Sequence, residues 1–258
     1  MKKPKTSSGR PALIAGIALL AATVALLSWY LPRLAAVEPP LSSVVSAVSD
    51  PLPESEVVLA DNPINFAAMQ AKYPDAIGWI RVPGTVIDYP IMQSSAEGKE
   101  DFYLDHDPAG EQKREGSIYI QKVNKADFTD PNTVIYGHNM ATGRMFAALH
   151  KYKNGDFFDN NQLIYVYLPG HILTYRIYST FIHEPTHLLY AYDYSTAEGY
   201  EQFLQTTLHP TSAKRQVREG ITPTTADRLI TLSTCTNRSE GDNRLLVVAV
   251  LEEDVLTK

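Results

Sequence analysis

The chain has 258 residues, a formal net charge of −6, 44% hydrophobic residues and a single cysteine. An acidic balance without a basic cluster in the body of the chain excludes nucleic acid as a partner. One thiol excludes an internal disulfide, so Cys235 is either small apolar filler or a group whose reactivity matters.

Residues 1–11 form a short basic tail with Lys2, Lys3, Lys5 and Arg10. Residues 12–31 carry no charge and are mostly Ala, Leu, Ile and Val. A helix of that length spans ~30 Å, the thickness of a bilayer's hydrocarbon core. Trp29 and Tyr30 stand at its far edge, where aromatic rings favour the interface. The positive-inside rule then predicts a single-pass type II anchor in the cell membrane, with everything after residue 31 extracellular. The competing reading is a cleaved signal peptide, with Leu34-Ala35-Ala36 as a loose cleavage site. Residues 32–63 are rich in proline and serine without a sustained apolar period and read as a spacer. Residues 64–258 suffice for one domain with its own core.

In that domain strand signals dominate. β-Branched and aromatic runs occur at 78–82, 86–91, 117–120, 133–136, 163–168, 172–181, 228–232 and 244–251, separated by Gly, Pro and Asn turns. Eight such runs predict a mostly-β fold, a closed or nearly closed barrel. Helical spacing interrupts them at 65–73, stopped by Pro74, and at 144–152, where Met145, Phe146, Leu149 and Tyr152 share a face. A third helix spans 195–208: Ser195-Thr196-Ala197-Glu198 fits a capping box, and Pro210 is the stop.

Cys235 closes the run Leu229-Ile230-Thr231-Leu232-Ser233-Thr234-Cys235. A thiol that attacks a carbonyl needs a base or cation close by. His138 ends the run Thr133-Val134-Ile135-Tyr136-Gly137 and is placed to aim a ring into a cleft, or is an ordinary surface histidine. Arg244 opens the strand after the cysteine; it either pairs with Asp242 or steadies the charge that develops on an attacked carbonyl oxygen. His183-Glu184-Pro185-Thr186-His187 satisfies the H-E-x-x-H zinc pattern, but proline disrupts the helix interior that pattern requires.

Leu232-Ser233-Thr234-Cys235, with Arg244 downstream, resembles the sortase signature. The run 132–140 followed by Met145-Phe146 resembles the sortase histidine loop. Ile77-Gly78-Trp79-Ile80, Val82-Pro83-Gly84-Thr85, Ile87-Asp88-Tyr89-Pro90 and Phe102-Tyr103-Leu104-Asp105-His106-Asp107 are similar to class B members. The resemblance covers about residues 65–251. It implies an eight-stranded sortase-type β-barrel with an N-terminal helix and an additional helix before the penultimate strand. The implied activity is that of a cysteine transpeptidase and endopeptidase. Such an enzyme cleaves a C-terminal sorting motif of a secreted protein through a thioacyl enzyme and passes it to an amine, of a lipid-linked cell-wall precursor or a pilin lysine. Carried onto this chain, Cys235 is the nucleophile, His138 the acid/base and Arg244 the oxyanion or substrate support. Ser233 and Thr234 are expected to line the substrate groove, and the Thr236 amide to share the oxyanion. No metal or cofactor is implied. A thiol hydrolase and a non-catalytic peptide-binding barrel are the alternatives.

Overall fold

The computed structural model describes residues 59–258, the side chain of Arg238 excepted. The basic tail, the expected anchor at 12–31 and most of the spacer lie outside these residues. Among the described residues no helix is long and apolar enough to cross a membrane.

Nine strands form one sheet: β1 (Ala76–Arg81), β2 (Asp88–Met92), β3 (Ile118–Tyr119), β4 (Asn132–Tyr136), β5 (Leu163–Leu168), β6 (His171–His183), β7 (Arg215–Val217), β8 (Leu229–Cys235) and β9 (Arg244–Leu256). The neighbours run β5-β1-β2-β3-β4-β8-β9-β6, and β6 pairs back onto β5, so eight strands close a ring. Each of the eight is paired on both sides over part of its length, and β6 runs past its partner β5, which leaves Ser179–Phe181 open on that side. β7 pairs only with β6 and lies outside the ring. β2–β3 and β4–β8 are parallel; every other pairing is antiparallel.

Side chains alternate across this wall. Ile230 and Leu232 of β8 and Leu245, Val247 and Ala249 of β9 point into the barrel core. Leu229, Leu246 and Val248 point outward, beneath Tyr200, Phe203 and Leu204 of an external helix. Burial on both faces explains why β8 reads as an unbroken strand-forming run rather than an alternating one.

The helices are α1 (Phe66–Lys72), α2 (Gly155–Asn160), α3 (Leu188–Ala191) and α4 (Ala197–Leu208). Asn65 caps α1, its side chain accepting from the Ala68 amide at 3.0 Å. The capping box expected at Ser195 does not form. Asp193 takes both the amide and the hydroxyl of Ser195, and Thr196 caps α4 instead, accepting from the Gly199 amide at 3.1 Å. A methyl group at Gly199 would stand 2.3 Å from the Asp193 carbonyl oxygen, so this corner needs glycine.

The helix expected over 144–152 is a 3-10 helix, Phe146–Lys153. Its apolar residues explain the choice: Phe146, Leu149 and Tyr152 recur every three residues and are all fully buried. Residues three apart eclipse in a 3-10 helix, so this spacing stacks them on one ridge. At the other end of the chain's described part, Ala60 bridges Thr257, and the side-chain Nδ2 of Asn62 donates to the Leu168 carbonyl at 3.0 Å. The last residues assigned to the spacer therefore lie against the barrel.

Candidate active site

The strand registers build the site. β4 and β8 run parallel with Tyr136 opposite Ser233, so two residues further on His138 comes level with Cys235. β8 and β9 run antiparallel with Cys235 opposite Arg244, and Arg244 in turn lies opposite His183 of β6. Adjacent strands are ~4.8 Å apart. Cys235 therefore sits between His138 on one side and Arg244 on the other, at the strand ends. Counting outward from Leu229 and Leu246, Cys235 and Arg244 are on the outer face of the barrel, the face that α4 covers further along.

A cleft of about 240 Å³ opens there, bordered by His138, Cys235 and Arg244 together. Cys235 is exposed and His138 partly so. The His138 Nε2 lies 2.8 Å from the Leu104 carbonyl. A carbonyl oxygen only accepts, so Nε2 carries the proton and Nδ1 is the basic nitrogen. The side-chain Nδ2 of Asn139 donates to the Asn237 side chain at 3.3 Å, tying the histidine loop to the cysteine loop.

Of the two readings of Arg244, the pair with the Asp242 carboxylate does not form. Its Nη1 donates to the Asp242 backbone carbonyl at 2.8 Å, and among the described residues no carboxylate lies within ion-pair distance of the guanidinium. Its charge is felt at Tyr119 and Tyr136: burial and Asp101 push both phenols well above their usual range, and Arg244 opposes that shift.

Ser233 and Thr234 border the cleft, both buried. Three polar atoms near it, Thr234 Oγ1, Tyr136 Oη and Gln121 Oε1, are buried without a hydrogen-bond partner among the described residues. Thr236 is a correction. Its amide donates to the Asn243 carbonyl at 3.1 Å and its hydroxyl to Gly241 and Asn243, so that amide is spent on closing the loop and has no proton left for an oxyanion.

Sequence reasoning missed Glu240, in the short helix Arg238–Glu240 between the cysteine and the arginine. Its carboxylate accepts from Lys153 at 2.8 Å and from Lys214 at 2.6 Å. Burial pushes its pKa up, but these two bonds and the Asn237 amide hold it down at about 2, against an ordinary 4.5. A carboxyl lowered on folding stabilises the fold fully above pH 4.5 and loses that contribution as pH falls towards 2. Glu240→Gln is therefore expected to lower the melting temperature at pH 7 and to narrow its gap to the unsubstituted protein between pH 4.5 and pH 2. Parallel melting curves that keep a constant gap down to pH 2 would contradict this. No pattern in the sequence marks Glu240, because both its partners are distant in the chain.

His183-Glu184-Pro185-Thr186-His187 is a strand end running into a turn: His183 is the last residue of β6 and His187 precedes α3. The two imidazoles are thus not one helical turn apart, although both border the cleft. Among the described residues no group of three His, Cys, Asp or Glu side chains is arranged to hold a metal.

A family profile described as "Sortase domain" matches residues 80–252. Sortase B of Listeria monocytogenes serovar 1/2a is 34% identical over 182 residues, 70% of each chain. Sortase B of Staphylococcus aureus is 28% identical over 185 residues, covering 71% of this chain and 73% of its own. Among solved structures, Clostridium perfringens sortase B superposes with a TM-score of 0.65 at 33% identity, over 73% of this chain and 100% of the other. A Staphylococcus aureus sortase B–substrate complex gives 0.64 at 27% identity, over 75% and 87%.

Proposed function

This chain belongs to the sortase family, to its class B of cysteine transpeptidases, and from that premise we propose that it works as a membrane-anchored enzyme on secreted proteins bearing a C-terminal sorting motif. Held by residues 12–31 on the outer face of the membrane, it cuts the motif and joins the new carboxyl end to an amine of a cell-wall precursor or a pilin.

The observation that carries this reading is the row His138, Cys235, Arg244 across β4, β8 and β9 at the mouth of one cleft. The Cys235 thiolate adds to the scissile carbonyl, and the resulting oxyanion is steadied by the Arg244 guanidinium. Collapse breaks the C–N bond, with His138 giving a proton to the leaving amine, and leaves a thioester on Cys235. The incoming amine attacks that thioester, returns a proton to His138 and expels the thiolate. One amide is broken and one formed, with no net redox change.

The test is cleavage of a panel of sorting-motif peptides by the full chain, with and without an amine acceptor, read by mass spectrometry. Product carrying the amine supports the transpeptidase reading; product carrying water alone, whatever amine is offered, overturns it in favour of a thiol hydrolase.

Arg244→Lys is expected to reduce kcat by about 10²-fold with KM changed little, because donors aimed at the developing oxyanion act mainly in the transition state. An ammonium is a point charge and cannot hold the Asp242 carbonyl and reach the oxyanion with the same fork. Steady-state kinetics decide it: an effect confined to KM would make Arg244 a substrate anchor instead.

A further inference from the structure

The 3-10 helix Phe146–Lys153 touches the site three times. Its first amide, Phe146 N–H, donates to the His138 carbonyl at 2.9 Å. His150 Nε2 lies 3.1 Å from the Cys235 carbonyl oxygen, and Lys153 binds Glu240 of the cysteine–arginine loop. His150 and Lys153 are three residues apart and share a ridge, next to the ridge that Phe146, Leu149 and Tyr152 bury in the core.

The contact to Cys235 fills a gap in the sheet. In the parallel β4–β8 ladder the Gly137 amide donates to the Ser233 carbonyl at 3.2 Å. With a repeat of two, the Asn139 amide would serve the Cys235 carbonyl next. β4 has ended by then, and Asn139 is bridged to Met145 instead. The imidazole of His150 takes the place of that missing rung.

Its protonation is fixed by the same contacts. The carbonyl can only accept, so Nε2 bears the hydrogen. Nδ1 is buried without a partner among the described residues, so a second proton there would be unsolvated. Burial lowers the His150 pKa; the bond to Cys235 and Glu240 oppose the shift, and Lys153 adds to it. His150 is therefore a neutral donor.

We propose that His150 is a positioning residue for the nucleophile: its Nε2–H holds the Cys235 peptide so that the thiol stays aligned with His138. This rests on the reading of Cys235 as the nucleophile. Cys235 is the last residue of β8, and without this bond its carbonyl has no donor on the β4 side among the described residues. The loss is then one of alignment in the reacting complex, which lowers kcat rather than peptide binding.

The experiment compares the full chain with His150→Ala and His150→Gln, since a glutamine amide can donate from nearly the same place as Nε2. His150→Ala is expected to lower kcat about tenfold, the scale of one net hydrogen bond, with KM within about twofold. His150→Gln is expected to recover most of that loss. A substrate-free arm follows the Cys235 carbonyl ¹³C resonance, expected to move upfield in the Ala variant and back in the Gln variant. The proposal is overturned if Ala leaves kcat unchanged, if its effect falls on KM, or if Gln is as impaired as Ala. If the unsubstituted chain turns over no peptide, the transpeptidase reading fails, and the carbonyl resonance decides the His150 bond: one that does not follow the donor overturns it.

Discussion

Cys235→Ala abolishes turnover, a fall of at least about 10⁴-fold, and with it the thioacyl adduct on the protein. The size follows from what is removed. The neighbouring groups stay in place, and polarisation of the peptide bond by Arg244 survives, but no other thiol exists in the chain to form the intermediate. The fold should not notice: Cys235 is exposed at the end of β8 and contributes no buried side chain to either core face. Peptide affinity is therefore expected to be kept. Intact-protein mass spectrometry after mixing with substrate checks the adduct directly. Residual turnover above about a hundredth of the original rate would remove Cys235 from the mechanism proposed here.

His138→Ala lowers kcat by about 10²–10⁴-fold, the usual contribution of a positioned acid and base. Unlike the cysteine variant it keeps a nucleophile, so slow acylation should remain visible in a single turnover. Release of the product amine loses its proton donor, and the pH profile of kcat/KM should lose one of its limbs. A full bell-shaped profile with kcat reduced less than about tenfold would show that another group does this work. The substitution also removes a bond to the Leu104 carbonyl, so melting curves are needed beside the kinetics.

Much of this arrangement could be read from the chain because the strands are chemically loud. All eight ring strands coincide with β-branched or aromatic runs bounded by turn residues. That His138, Cys235 and Arg244 belong together was legible only through the sortase resemblance; the registers of β4, β8 and β9 that bring them level come from the structure. β7 was silent for a physical reason: Arg215-Gln216-Val217 has little strand character of its own and is a strand only because Ser179–Phe181 offers it an edge. The helix at 144–152 was legible as a helix but not as a 3-10 helix, although its period of three was present in Phe146, Leu149 and Tyr152. The occupied Thr236 amide, the orphaned rung met by His150, and Glu240 between two distant lysines were not legible. Each depends on loop geometry and on partners far along the chain.

The parallel pairing of β4 with β8 also governs how the protein comes into being. Its rungs join segments such as Asn132 and Thr231, whose side chains bond at 2.8 Å across 99 residues of sequence. Closing so long a loop costs chain entropy before it returns any contact, so such pairings form late and slowly. Until they do, the thiol has no imidazole beside it, although the local β8–β9 pairing already sets Arg244 opposite, and it lacks its acid and base. Ring closure is thus an arming step: a chain still short of β8 and β9, or stalled before they dock, holds no competent acylating centre and cannot attack its neighbours while it folds.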